Sequence, residues 1–354
     1  MRVTFILPGR GGGGGAHSVV QEAGGLQRLG VDVAIATTAE TYPAFRLNYP
    51  ELDRSIRLPL FRDDQELGAV LAQTDLAVAT TAPSAVQLAT VLKGMKAERP
   101  RAAYYVQDYE PLFFTPGTPQ WTEARDSYSA LPGALLFAKT DWLCAMVQDN
   151  HGGSLVKVAP SIDHQTYHPD LAARRETVTI SAMIRPKTLR RAPRRHVRIL
   201  ERLGAMVGAD VNLVSFGCEA GELAAEGLKL SARIAHRGVL SRRQVAAVLR
   251  DSDLFLDLSD YQAFGRTGLE GMACGCVPVL PVFGGATEYA RHGENAYLVD
   301  TRSDEAILAA VSAYLSNGPA VRRDMRIAAL GTALDYSVER AAFSEYMAFR
   351  RYLS

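Results

Sequence analysis

The sequence predicts an α/β protein of two doubly wound domains, each a parallel sheet covered by helices on both faces. Three observations carry this expectation. The chain has 354 residues, more than one compact core of ordinary size holds. Short runs that are apolar throughout, as in strands buried on both faces, alternate with helical patterns. The rhythm breaks once, at the polar, two-proline stretch "VAPSIDHQTYHPDLAARRE", which reads as an interdomain linker.

In the first half the strand "VTFILP" precedes a helix from about Ala16 to Leu29 and the strand "VDVAIATT". Then come "LAVATT", the helical "PSAVQLATVLKG", "AAYYVQ", a segment from Pro119 to Ala130, "LLFAK" and the helical "DWLCAMVQ". The second half repeats the grammar with "VTISAMI", a helix from about Arg194 to Met206, "VNLVSFG", "IAHRGVL", "LFLDLS", "VPVLP" and "AYLV". Ser241 and Gln244 form a capping box for a further helix, whose Val245, Val248 and Leu249 share one face. The expected domains are residues 1–165 and 175–335. A C-terminal helix in 336–354, with Phe343, Tyr346 and Phe349 for packing, is expected to fold back on the first domain. Ligands of such open sheets sit beyond the carboxyl ends of the strands, so the cleft between the domains is the expected site.

Apolar content of 47% and charged content of 22% are those of a soluble globular protein. A net charge of +1 supplies no basic field for nucleic acid. No apolar run is long enough to span a bilayer, and "MRVTFILPG" is too short for a signal peptide. The four cysteines form no disulfide framework, and the "CGC" pair lacks partners at metal-ligand spacing, so packing is their expected role. A cytoplasmic protein follows.

Three stretches can carry chemistry. The loop "PGRGGGGGAHS" places Gly9, Gly11 and Gly14 at G-x-G-x-x-G spacing, although five successive glycines match almost any glycine template. The acid of a dinucleotide site is missing, because Thr37 and Thr38 end the second strand and Glu40 lies in the next loop. The loop reads as a flexible turn, as a dinucleotide site, or, preferably, as side-chain-free backbone approached by an anionic or sugar ligand. In "RPKTLRRAPRRHVRILER", Arg185 and Lys187 leave the carboxyl end of a strand, where they would grip a diphosphate. Arg194, Arg195, Arg198 and Arg202 fall on a solvated helix face. Arg190 and Arg191 suit either role, or an anionic acceptor or membrane surface.

The third stretch is "DYQAFGRTGLEGMACGCVPVLP", residues 260–281. A helix from Gly265 would put Gly268, Gly271 and Gly275 on one face against the sheet, with Glu270 pointing away. Its first-turn amides suit phosphate, and its carboxylate suits vicinal hydroxyls such as those of a ribose. The plainer reading is a surface glutamate on an ordinary helix. "DSD" at 251–253 reads as a helix-terminating turn rather than a metal motif.

Taken in order, "VAPSIDHQTYHP", the basic pair, "HRGVLSRRQ" and "QAFGRTGLEGMACGCVPV" resemble the C-terminal half of family-4 retaining glycosyltransferases. "YYVQDYEPLFFTPGT" is similar to bacterial rhamnosyltransferases of the WsaF type. The resemblance implies the GT-B fold, two Rossmann-like domains facing a central cleft. It implies a nucleotide-sugar donor, dTDP-rhamnose by preference, and a glycan or glycolipid acceptor. Retention of configuration follows, with neither metal nor cofactor, and so does a role in polysaccharide biosynthesis. Peripheral contact with the inner face of a membrane is compatible with it, and no sequence feature sets an oligomeric state.

Carried onto this chain, Arg185 and Lys187 would hold the diphosphate. Gly238, Val239 and Leu240 would line the base pocket. Phe264, Gly265, Arg266 and Thr267 would bring backbone amides to sugar and phosphates, and Glu270 would bind the ribose. Gly12, Gly13, Gly14 and His17 would face the acceptor and transferred sugar, beside Gln107 and Asp108 where many relatives have a histidine. Asp108 would orient or deprotonate the acceptor. Gln262 stands where the family has the first acid of its pair. Its amide would bond sugar hydroxyls, and Gln262→Glu should leave an active enzyme with altered donor preference. The alternative is a non-catalytic GT-B subunit that binds a nucleotide-sugar or glycan within an assembly complex.

Overall fold

The computed structural model describes residues 1–50, 52, 56–96, 99–170 and 177–354, so residues 171–176 of the expected linker lie outside the described residues. The chain divides into two compact units, Met1–Ser161 with Tyr336–Ser354, and Ile162–Asp335.

The first unit runs β1 (Arg2–Ile6), α1 (Gly14–Arg28), β2 (Asp32–Thr38), α2 (Tyr42–Asn48), β3 (Leu60–Phe61), α3 (Asp64–Leu71) and β4 (Leu76–Ala79). It continues through α4 (Ala82–Gly94), β5 (Arg101–Val106), α5 (Pro119–Asp126), β6 (Leu135–Ala138), α6 (Asp141–His151) and β7 (Val156–Lys157). The second runs β8 (Val178–Met183), α7 (Pro193–Met206), β9 (Val211–Phe216), α8 (Ala220–Ala225), β10 (Ile234–His236), α9 (Arg242–Arg250) and β11 (Leu254–Leu256). After these come α10 (Arg266–Ala273), β12 (Val277–Pro281), β13 (Tyr297–Val299), α11 (Asp304–Ser316) and α12 (Pro319–Leu334), and α13 (Val338–Leu353) returns to the first unit.

All strand pairs are parallel among the described residues, in the orders β3-β2-β1-β4-β5-β6-β7 and β10-β9-β8-β11-β12-β13. Each order reverses once, between β1 and β4 and between β8 and β11. The loops leaving those strands therefore diverge at the carboxyl edge and open a crevice there. Local chemistry sets the helix starts: Thr81 with Ser84 and Ser241 with Gln244 make reciprocal capping boxes, and Asp63, Thr140 and Ser303 cap α3, α6 and α11.

The C-terminal helix is part of the first core. Fully buried Phe349 sits 5.4 Å from Phe137, and Gly25 lets α1 approach so closely that a Cβ there would lie 2.6 Å from Ala342 Cβ. Beneath this contact is a buried polar cluster. Lys139, just past β6, is ion-paired with Glu22 of α1, and Ser161 Oγ donates to Glu22 at 2.9 Å. Glu345 of α13 is fully buried, and neither of its carboxyl oxygens has a hydrogen-bond partner among the described residues. Burial pushes its carboxyl up to about 7, against the pull of the Lys139 charge.

The unfolded chain gives up this proton at the ordinary carboxylate pH and the native chain only near pH 7, so stability falls as pH rises through that window. Glu345→Gln should flatten the slope, and the difference between wild type and variant should grow by at most about 3 kcal/mol from pH 4.5 to 8. Urea melts at both pH values test this. Identical slopes would assign the burial cost elsewhere.

Candidate functional site

In the second unit the crevice is bordered by the loops after β8 and β11. Beyond β8 the basic run divides. Arg185 is exposed and donates from Nη1 to Gly217 O at 3.3 Å. Lys187, 77% exposed, pairs with Glu222 of α8 at 3.3 Å. Arg190 lies over the Tyr261 ring at 5.9 Å, and Arg191 reaches within 3.7 Å of the Asp257 carboxylate. Arg191 thus stands on the β11 side and Lys187 on the α8 side, a division that position in the run does not reveal.

The expected solvated helix face also needs correction. Arg198 and Arg202 do sit outside, on Asp304 at 2.7 and 3.2 Å. Arg195 is mostly buried and donates to Leu258 O at 2.8 Å and to Asp260 at 2.9 Å, tying α7 to the exit of β11. His196 does the same from inside: its Nδ1–H donates to Ala192 O, leaving Nε2 to accept from Leu258 N, both at 3.1 Å. Burial lowers the proton affinity of this ring, so it stays neutral.

Past β11 the chain winds around the buried Asp257 carboxylate, which accepts from Ser259 N at 3.2 Å, Ser259 Oγ at 2.5 Å and Gln262 Nε2 at 2.5 Å. Gln262 is 3% exposed and its Nε2 also donates to Ser259 Oγ at 3.1 Å. Its backbone bridges to Gly284, where φ is 107° and a Cβ would lie 2.1 Å from Gln262 O. The side chain expected to meet sugar hydroxyls is therefore turned inward, because a buried carboxylate needs its donors more than solvent does.

The chain then enters α10 through Gly265, whose left-handed φ of 80° no β-carbon residue adopts cheaply. Tyr289 Oη donates to Gly265 O at 2.7 Å, and Phe264 stands edge-on to the Tyr289 ring at 5.4 Å. No side chain caps this helix end, which carries Arg266 and Thr267 in its first turn. Gly268 packs so tightly that a Cβ would lie 2.6 Å from Leu280 Cδ2. Gly275 is not on that face: it lies past the helix end in the left-handed region, because α10 stops at Ala273.

Glu270 is not a surface residue. It is 5% exposed, and burial pushes its carboxyl up to about 7 against the charges of Arg266 and Arg242. Beyond β10, Gly238 turns with φ 66°, and Val239, 58% exposed, donates its N–H to Glu219 at 3.2 Å, just ahead of Leu240 and the capped start of α9. The edge of this unit thus carries Arg185 and the 238–240 turn on the loops that follow β8 and β10, and the 264–267 helix start and Glu270 at and within α10, which follows β11.

In the first unit the glycine loop leaves β1 at the other crevice. Gly11 and Gly12 take φ values of 76° and 77°, and a Cβ on Gly11 would lie 2.8 Å from the Tyr49 ring. The loop is a shaped turn: Gly12 N donates to Tyr49 Oη at 3.3 Å, Gly13 precedes α1 without a side-chain cap, and Gly14 opens the helix. His17 is buried, its ring parallel to Tyr49 at 6.3 Å. Gln107 crosses from β5, with Oε1 2.8 Å from where a Cβ on Gly15 would stand and Nε2 donating to Thr80 O at 3.0 Å.

Asp108, half-buried, accepts from Tyr109 N at 2.9 Å. Its neighbour Glu110, which sequence reasoning passed over, accepts from Ala82 N at the start of α4 at 2.8 Å. Burial, with Asp108 and Glu123 nearby, pushes the Glu110 carboxyl up to about 7. The overlooked Asp257 did leave a signal, an acid inside the apolar run "LFLDLS"; Glu110, among other acids, left none.

These two Rossmann-like units define the fold class: GT-B. Within the second, residues 197–330 match the family described as Glycosyl transferases group 1. HepE of Anabaena, solved with UDP and glucose, superposes with a TM-score of 0.81 at 15% identity over 99% of both chains. Sucrose-phosphate synthase of Thermosynechococcus elongatus gives 0.79 at 13% identity, over 99% of this chain and 98% of that one. By sequence the chain is 28% identical over 253 residues to the O-antigen biosynthesis protein RfbC of Myxococcus xanthus. That match takes in 71% of this chain and 19% of RfbC. Among the described residues no helix is long and apolar enough to cross a membrane, and no group of three or more His, Cys, Asp or Glu side chains could hold a metal ion.

The inward position of Gln262 changes what its substitution should do. Glutamate there would set a second carboxylate at the 2.5 Å contact with Asp257. Gln262→Glu is expected to cost roughly 1–3 kcal/mol of stability at pH 8, recovered at lower pH as the new acid keeps its proton. Melting curves from pH 5 to 8 that match wild type would contradict this.

Proposed function

We propose that the chain is a metal-independent glycosyltransferase that moves a sugar from a nucleoside-diphosphate donor to a glycan or glycolipid hydroxyl, with retention, in polysaccharide synthesis. The observation that carries this reading is the uncapped, glycine-entered start of α10 at a strand-order reversal, with a buried carboxylate one turn on and Arg185 across the crevice. That set suits the three parts of a nucleotide-sugar: amides for phosphate, a carboxylate for the pentose hydroxyls (both in a ribonucleotide, the 3′-hydroxyl alone in dTDP) and a cation for the leaving diphosphate. The match to group 1 glycosyl transferases, residues 197–330, covers the start of α10 and Glu270 but not Arg185.

In the proposed reaction the bond from the anomeric carbon to the diphosphate oxygen breaks as the acceptor oxygen bonds to that carbon on the same face. The acceptor proton passes to the departing phosphate. Charge growing there is met by Arg185, by Lys187 swung from its exposed Glu222 pair, and by Arg191 from the β11 side. Val239 and Leu240 line the base pocket, while Gly12 to Gly14, His17, Gln107 and Asp108 serve the acceptor and sugar. The donor reading favours dTDP-rhamnose, from the similarity of "YYVQDYEPLFFTPGT" to rhamnosyltransferases. UDP-glucose is its main competitor, since HepE has been solved with that sugar nucleotide. A non-catalytic subunit remains the second reading, favoured by an amide at 262 that is bonded inward.

A thermal-shift panel of nucleoside diphosphates should raise the melting temperature with UDP or dTDP and leave it unchanged with NADH. Arg185→Ala should lower kcat about 100-fold or more while changing the Kd of the nucleoside diphosphate much less. Matching losses in both would make Arg185 a binding residue only. Donor turnover absent from the purified wild-type chain with every acceptor, despite tight nucleotide binding, would favour the non-catalytic subunit.

A further inference from the structure

We infer that Tyr289 is a positioning residue of the nucleotide site, its buried hydroxyl fixing the first peptide of α10 so that the helix amides face the diphosphate. The inference rests on the reading of that helix start, with Glu270 and Arg185, as the nucleoside-diphosphate site, and adds the group that holds it in place.

Tyr289 belongs to the loop after β12 and is 1% exposed. Its main chain is moored on α12. Asn295, also 1% exposed, donates from Nδ2 to Tyr289 O at 3.0 Å and to Thr332 Oγ1 of α12 at 2.7 Å. The Asn295 Oδ1 accepts from Arg291 N at 2.7 Å, and Tyr289 N donates to Ala286 O at 3.2 Å. From this base the hydroxyl enters a notch between two glycines. A Cβ on Gly265 or on Gly268 would lie 2.8 Å from Tyr289 Oη, so either side chain would crowd it out.

In that notch Tyr289 Oη donates to Gly265 O at 2.7 Å. The same carbonyl accepts the opening bonds of the helix, from Gly268 N at 3.0 Å and Leu269 N at 3.4 Å. A trans peptide is planar, with its N–H antiparallel to its C=O. Holding Gly265 O inward therefore aims the Arg266 N–H out of the helix end, toward an approaching anion. Gly265 needs such a hold, because glycine samples φ of either sign and its 80° is one choice among several. The hydroxyl adds no charge to the site. It removes in advance the backbone freedom that a bound diphosphate would otherwise have to remove.

The test is binding by the full chain, with UDP against uridine, dTDP against thymidine, and inorganic pyrophosphate alone. Calorimetry reads the nucleotides, and ligand-observed NMR titration reads the weaker nucleosides and pyrophosphate. Tyr289→Phe keeps the ring that stands against Phe264 and removes only the hydroxyl. For the nucleotide that binds, the variant should weaken affinity roughly five- to tenfold, the loss of one oriented hydrogen bond, while its nucleoside binds as it does to wild type. Pyrophosphate should lose affinity in the same proportion as the nucleotide. Unchanged nucleotide affinity would overturn the inference. Equal losses for nucleotide and nucleoside also count against it, because a ring that only packs acts on the whole site alike. A wild-type chain that binds neither UDP nor dTDP would instead overturn the site reading on which the inference stands.

Discussion

The donor edge of the second unit depends on one buried carboxylate. Asp257 sits at the exit of β11, 4% exposed, where an uncompensated charge would cost several kcal/mol. It is compensated by Ser259, by the Gln262 amide and by Arg191, and these partners dictate the path of the chain from 257 to 265. Gln262, pulled inward, presses its carbonyl against Gly284 and accepts from Gly285 N at 2.7 Å, which positions the loop after β12. The entry angle of α10 follows, and with it the direction in which its amides and Glu270 face.

Around that carboxylate, close backbone approach replaces side-chain bulk. Gly265, Gly268 and Gly284 each stand where a Cβ would fall within 3 Å of a neighbour. His196 and Arg195 brace the exit of β11 from α7, so a neutral ring and a paired guanidinium hold the loop without adding net charge at its base. The first unit solves the same problem differently. Its glycine loop is stiffened by Tyr49, Asn48 and His17 rather than by a carboxylate, with Asn48 Nδ2 donating to Arg10 O at 3.2 Å.

Much of the fold was legible because its signals are local. Uniformly apolar runs announced parallel buried strands, and the Ser241–Gln244 spacing announced a helix start that has the reciprocal bonds expected of it. The reading of "DSD" as the close of a helix is matched by Asp251 at the end of α9, with Asp253 Oδ2 accepting from Thr179 N at 2.9 Å. Side-chain direction was far less legible. Arg195 was expected on a solvated face, yet it spans to Leu258 O and Asp260, because which flank of α7 meets the sheet is set by the strand order. Gly275 was placed on a helix face that ends before it.

The sequence by itself determined the fold class: the alternation of strands and helices and the glycine-rich segments at strand ends are properties of neighbouring residues. Tertiary structure alone decided the partners. Lys187 turns to Glu222 and Arg191 to Asp257, Gln262 points in, and Glu270 lies buried. The two ion pairs join segments far apart in the chain, and for the buried groups the choice is set by desolvation, since a buried polar group takes whichever partner the packing brings within reach. No periodicity or spacing records that choice.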